Sequence, residues 1–162
     1  MTIELDKRDL QILQILSVEG RISKSELARR VNLSSSPCWE RLKRLENSGL
    51  IKGYRAEVDL TQATELLTVF VQVELESHLA AAFQLFERSM AQYDEIIACW
   101  ATGGGYDYLL QVMTTNIGAY QILIDDLLDA RIGIKRYFTY VVTKQVKSGA
   151  PPLASLLGAR VE

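Results

Sequence analysis

With 162 residues, 48% of them hydrophobic and 23% charged, the chain is long enough for one full domain or two small ones and has the composition of a globular protein. Its longest apolar runs, LLTVFV and YLLQVM, fall far short of the roughly 20 residues that a membrane helix needs, and MTIELDKRDL lacks a signal-peptide core. No membrane partner and a cytoplasmic location are therefore expected. The net charge of −2 hides an uneven distribution: residues 21–55 carry nine Lys/Arg against three Glu, whereas residues from 56 onward carry seven against thirteen Asp/Glu. A basic amino-terminal module joined to an acidic one follows from that split. Cys38 and Cys99 sit in separate apolar patterns and read as small buried hydrophobes rather than as a disulfide.

Asp6 is placed to cap a first helix, with Asp9 at N3 and Leu5 and Leu10 spaced as a hydrophobic staple. Leu10, Leu13 and Leu16, widened by Ile12 and Ile15, form its apolar stripe, and Gly20 ends it. Ser23 and Glu26 have capping-box spacing ahead of a second helix whose inner face is Leu27, Ala28 and Val31. In SSSPCWERLKRLENSG, Ser36 is placed to cap a third helix starting at Pro37, because proline has no N–H to lose in the first turn. Cys38, Leu42 and Leu45 recur at helical spacing and should face inward, which points Glu40, Lys43, Arg44 and Asn47 outward and leaves Trp39 and Arg41 on the flanks. Gly49 closes the helix, and LIKGYRAEVDL reads as a strand or wing leading out.

Two short capped helices joined by a tight turn and covered by a third match a helix-turn-helix, whose second helix approaches base edges of double-stranded DNA. Small residues at Ser34, Ser35 and Ser36 permit close backbone approach, and Arg41, Lys43 and Arg44 supply charge that displaces counterions. Ser34, Ser35, Ser36, Pro37, Trp39, Glu40, Arg41, Lys43, Arg44 and Asn47 are the candidate DNA-contacting set. The plainer alternative is a solvated basic face, with Trp39 as a packing residue.

From residue 66 the hydrophobic period becomes two. Leu67, Val69, Val71, Val73 and Leu75 share one strand face and Phe70 lies on the other. HLAAAFQLFERSMAQY reads as an amphipathic helix, and EIIACWATGGGYDYLLQVMT as two strands around a glycine hairpin. NIGAYQILIDDLLDA is a second helix, capped by Asn116, with Ile117, Tyr120, Ile124, Leu127 and Leu128 on its stripe; IKRYFTYVVTKQV is the last strand. The expected class is α+β: a winged or plain helix-turn-helix in residues 1–52, a hinge strand or linker in 53–65, and a ferredoxin-like βαββαβ domain in 66–162. One sheet face is left uncovered, with Phe70 and alternate residues of the last strand on it, so pairing of two copies through the sheet is expected. Gly103, Gly104 and Gly105 free the hairpin backbone for close approach, and Asp107 brings a carboxylate to its exit. The glycine spacing fits neither a phosphate loop nor a dinucleotide fingerprint.

Taken together, LDKRDLQILQILSVEGRISKSELARRVNLSSSPCWERLKRLENSGLIKGY and TGGGYDYLLQV resemble the Lrp/AsnC, or feast/famine, family of regulators over nearly the whole chain. The resemblance implies a ligand-sensing second domain that dimerises and often builds octamers, with an amino acid bound in a crevice near the glycine hairpin and no other cofactor. Gly104, Asp107 and Tyr108 match the family's Gly-x-x-Asp-Tyr pattern, and Ala101, Thr102 and Gly103 would line the same crevice. Thr139, Tyr140, Val141 and Val142 match its aromatic-aliphatic segment in the last strand, while Gly105 departs from the polar residue frequent at its place. A transcriptional regulator answering to an amino acid or related metabolite is thus expected. Two rivals stand beside it: a tetrapyrrole decarboxylase of similar architecture, and a sensing assembly protein that has lost DNA. The chain's one histidine, His78, reads as a surface residue, and no Ser/His/Asp, Cys/His or metal-ligand spacing occurs in the sequence, so no metal is expected.

Overall fold

In the computed structural model, residues 3–157 are described. They divide into two compact units, one made of residues up to Val58 together with those from Lys147 onward, the other of Asp59–Val146. The first unit begins with α1 (Lys7–Val18), α2 (Lys24–Arg30) and α3 (Ser35–Asn47). Asp6 caps α1 as the spacing predicts, accepting hydrogen bonds from the N–H groups of Arg8 and Asp9, and Asp9 returns a carboxylate to the Asp6 N–H at 3.0 Å. Only half of the second capping box forms. Ser23 accepts from the Glu26 N–H, but the Glu26 carboxylate is drawn instead to Arg29 and Arg30.

Between α2 and α3 the chain turns through Asn32, whose φ of +52° puts it in the left-handed region that closes many helices. The Leu33 N–H then reaches back to the Ala28 carbonyl at 3.0 Å. The third helix begins two residues earlier than expected, with Ser34 rather than Ser36 at the cap position and Pro37 in the third helical place. Proline is tolerated throughout the first turn, where no N–H has an intrahelical partner, so it does not pin the start to one residue. Cys38, Leu42 and Leu45 are buried as their spacing requires, and Gly49 at φ +75° terminates the helix.

Apolar contact is not all that holds α3 against α1. The Asp9 carboxylate, fully buried, accepts from Arg41 at 3.0 Å and from Arg44, and Arg41 also bonds Asp6. Two arginines of the third helix thus close on the acidic start of the first. Leu153 and Leu157 of α6 (Leu153–Leu157) pack on the same apolar cluster as Leu13 and Ile51, so this part of the tail, expected in the second domain, lies with the first unit; residues 158–162 are outside the described residues. The expected wing or hinge strand is absent among the described residues: residues 52–59 carry no helix or strand. A strand needs a hydrogen-bonded neighbour. Here the segment has instead the Tyr54 hydroxyl, which donates to Glu46 at 2.9 Å, and a 3₁₀ turn at Leu60–Gln62. Burial, then that bond, push the Tyr54 phenol up to about 12.

The second unit runs β1 (Leu67–Leu75), α4 (Ala80–Met90), β2 (Ile96–Ala101), β3 (Tyr108–Thr114), α5 (Ile117–Asp129) and β4 (Ile134–Val141). All pairings are antiparallel and the strand order is β2-β3-β1-β4, the expected ferredoxin-like arrangement. Val69, Val71 and Val73 of β1 stand opposite Val112, Leu110 and Tyr108 of β3, and these residues form a core with Phe86 and Met90 of α4 and Tyr120, Leu123, Ile124 and Leu127 of α5. Asn116 caps α5 as expected, but Ile117 and Leu128 are 60% and 42% exposed, and Leu123 takes the buried place between them. The other sheet face carries Phe70, Leu109, Trp100, Phe138 and Tyr140; the last three are 45–51% exposed.

Asp6 gives a pH signature. Burial opposes its ionisation, but hydrogen bonds from the Asp9 and Arg8 N–H groups and from Arg41 outweigh that and hold its carboxyl below the ordinary value. A group depressed in the folded state stabilises above its unfolded pKa and loses that contribution as pH falls through the folded one. Urea melts between about pH 5 and about pH 2 should show stability falling, and Asp6→Asn, which keeps a capping side chain, should flatten part of that fall. An identical pH slope in the variant would assign the acid sensitivity elsewhere.

Candidate nucleic-acid interface and effector site

On α3 the residues of the candidate DNA face are Ser34, Ser35, Ser36, Pro37, Glu40, Lys43 and Asn47, all exposed. Ser34 makes no capping bond through its side chain, so its hydroxyl is not spent on the helix end. Arg41, expected on the flank, and Arg44, expected to point outward, are tied to Asp6 and Asp9 and are 30% and 50% exposed. With Asp6, Pro37 and Glu40 they line a shallow concavity of about 350 Å³. Trp39 is half-buried, packed on the apolar cluster, and accepts two cations over its ring: Lys24 Nζ lies 3.3 Å and Lys43 Nζ 5.3 Å from the ring centroid. Lys24 opens α2 and was not singled out in the sequence. Nothing local marks it, because its partner is 15 positions away on another helix. On the far side of α2, Glu26 is held down to about 2 by hydrogen bonds from Arg29 and Arg30, and Arg30 also pairs with Glu19, so two carboxylates remove two more cations from the free basic set.

The glycine hairpin joins β2 to β3. Beyond the adjoining residues, no atom lies within 4 Å of where a Cβ would stand on Gly103, Gly104 or Gly105, and Gly104 takes φ +149°. Around this open loop the backbone is fixed. The Thr102 N–H donates to the Asp107 carbonyl and its hydroxyl to the Tyr106 carbonyl, both at 2.8 Å. Asp107 in turn donates its N–H to Val73, and its carboxylate accepts from the Leu75 N–H at 2.8 Å while Nε2 of His78 lies 3.1 Å away. The Asp107 side chain therefore steadies the loop. His78 is 66% exposed there, as a surface residue should be.

Tyr108 points the other way, into the core, against the Phe86 ring at 4.6 Å, with its hydroxyl donating to Glu87 at 2.8 Å; burial first, then that bond, push its phenol well up. Ala101, half of the hairpin's rim, is exposed. Thr139, Tyr140 and Val141 lie on β4, beyond β1 from the hairpin strands. Thr139 faces the helices and bonds the Tyr120 hydroxyl at 2.5 Å, whereas Tyr140 faces the open side and reaches Gln72 at 3.2 Å. One copy of the chain does not bring the two halves of the candidate effector site together.

Comparison with known proteins fits both units. Residues 5–52 match a winged helix-turn-helix DNA-binding family and residues 68–152 the Lrp/AsnC ligand-binding domain. The chain is 50% identical to the transcriptional regulatory protein DoeX of Halomonas elongata, over 90% of this chain and 92% of that protein. It is 38% identical to the leucine-responsive regulatory protein of Escherichia coli, over 89% and 88%. Among solved structures, a transcriptional regulator of Neisseria meningitidis in complex with L-Met superposes with a TM-score of 0.88 at 35% identity, covering 94% of this chain and 99% of that one. An AsnC-family regulator from Agrobacterium tumefaciens gives the same TM-score and coverage at 27% identity. The chain belongs to the Lrp/AsnC family of ligand-responsive, DNA-binding transcriptional regulators.

Proposed function

We propose that this regulator reads duplex DNA in the cytoplasm with the exposed face of α3 and answers to a free amino acid with an aliphatic or thioether side chain. The observation that carries the DNA half is the division of α3 into two faces. Cys38, Leu42 and Leu45 are buried, and Ser34 to Pro37, Glu40, Lys43 and Asn47 stand in solvent above them. A helix so mounted can enter a major groove, its polar side chains meeting base edges and its serines meeting phosphate. The choice of ligand class rests on relatives: one is named leucine-responsive and one was solved with L-Met.

For the effector, the three glycines offer an unobstructed backbone whose N–H groups suit a carboxylate, with Ala101 and Thr102 at the rim and Asp107 and Tyr108 as the supports beneath. The β4 residues Thr139, Tyr140 and Val141 complete the site from a second copy, since strand order separates them from the hairpin of their own chain. Pairing through the open sheet face gives the dimer, and dimers joined around these crevices give an octamer. Ligand shifts that assembly only by its difference in affinity between states. A binding role rather than catalysis is favoured by a hairpin built of glycine backbone and by the engagement of His78 with Asp107.

Two measurements test this. Phe138→Glu puts a charge on the open face, and light scattering at micromolar concentration should fall from a dimer or larger assembly towards the 18.2 kDa of one chain; an unchanged mass would place the interface elsewhere. In a thermal-shift series, L-leucine or L-methionine should raise Tm, since a ligand at a hundredfold excess over Kd stabilises by about 2.7 kcal/mol. A flat response to all the amino acids would remove the effector reading.

A further inference from the structure

We infer that the phosphate grip of the head is supplied by Lys24 and Lys43, held in place on the Trp39 indole, while Arg41 and Arg44 act as positioning residues that set α3 on α1. The inference rests on the reading of α3 as the DNA-contacting helix and says which of its cations do the electrostatic work.

The grounds are the partners each cation already has. Arg41 is bonded to Asp6 and Asp9, and Arg44 to Asp9, whose carboxylate is fully buried. A phosphate brought to either arginine meets carboxylate charge beside it, so the net attraction is small and few counterions are released. Taking an arginine away to serve a phosphate would leave a buried acid short of a partner, which is a costly state. Lys24 and Lys43 stand differently. Both are exposed, neither has a carboxylate partner among the described residues, and each lies over the Trp39 ring, at 3.3 and 5.3 Å from its centroid. An aromatic face attracts an ammonium without cancelling its charge, and it narrows the rotamers of a four-carbon chain before DNA arrives. Because Lys24 opens α2 and Lys43 lies on α3, the indole gathers one cation from each helix of the helix-turn-helix. It is a built phosphate clamp in a motif whose other cations are largely neutralised from within.

Fluorescence anisotropy with a mixed-sequence 30-base-pair duplex, titrated across about 50 to about 200 mM salt, reads phosphate contacts directly, because non-specific affinity is electrostatic. Lys24→Ala and Lys43→Ala should each make the plot of log affinity against log salt shallower by about 0.9, the value of one phosphate contact, with Tm unchanged. Trp39→Leu should weaken binding and Trp39→Phe restore most of it. Arg44→Gln should keep the wild-type slope while lowering Tm. If both lysine variants keep the full slope, or if Arg44→Gln loses about 0.9 as a phosphate contact would, the assignment is overturned. A wild-type protein with no salt-dependent binding would instead overturn the reading of α3 itself. The lysine variants sit in solvent and fold independently of the outcome, so the test does not hang on the arginine variant's stability.

Discussion

A single carboxylate organises the amino-terminal unit. Asp9 is fully buried, and a buried acid is tolerable only when its charge is met by cations and its lone pairs by donors. Arg41, Arg44 and the Asp6 N–H meet those needs at once. The geometry that satisfies Asp9 therefore fixes the angle and the rotation of α3 against α1, beyond what the interchangeable aliphatic contacts of Ile12, Leu42 and Leu45 would specify. Rotation is the quantity that matters for a helix that must show one face to a groove. The same demand sorts the basic residues of the head into those consumed by the protein and those left for a partner.

The second unit obeys a different constraint, the period of two. Valines at 69, 71 and 73 all point at the helices, so every residue between them must point away, and what stands there is Phe70 and Gln72. With Trp100, Phe138 and Tyr140 on the neighbouring strands, the open face holds more aromatic surface than a solvated sheet needs. Strand order then separates the β2–β3 hairpin from β4 by the width of β1. A site that draws on both cannot be completed inside one sheet. The proposed dimer rests on the open aromatic face and the proposed two-copy effector site on the strand order, both features of this one sheet.

Local signals were readable from the sequence and distant ones were not. Asp6, Ser23, Asn116 and Gly49 declared their helix ends because a cap involves residues two to four positions apart. The two faces of β1 were equally plain. Asp9 was visible only as half of a capping box; its second role joins residues 32 and 35 positions apart, and no periodicity reports on that. Asn32 escaped notice because asparagine is only weakly diagnostic of a left-handed turn, where glycine would have announced it. Glu26 had the right spacing for a capping box, yet two arginine hydrogen bonds outcompete one backbone N–H for its oxygens. Tyr108 looked like a ligand contact on pattern alone, and alternation along β3 sent it into the core instead.

A chain with net charge −2 has no evident claim on DNA, and the way out lies in range rather than in total. At physiological salt, exposed charges farther apart than about 8 Å are largely screened, so the charge summed over the whole chain says little about the field at a basic surface. Within the head, though, the pairings are short: Arg29 with Glu26, Arg30 with Glu26 and Glu19, Arg41 with Asp6 and Asp9, Arg44 with Asp9. Four of the nine cations in residues 21–55 are therefore neutralised where they stand. A regulator gains from this. Because non-specific affinity scales with the number of free cations, internal pairing lowers the hold on arbitrary sequence while leaving base-edge contacts untouched. Discrimination is a difference between those two affinities, so a head that neutralises part of its own charge becomes more selective by binding less.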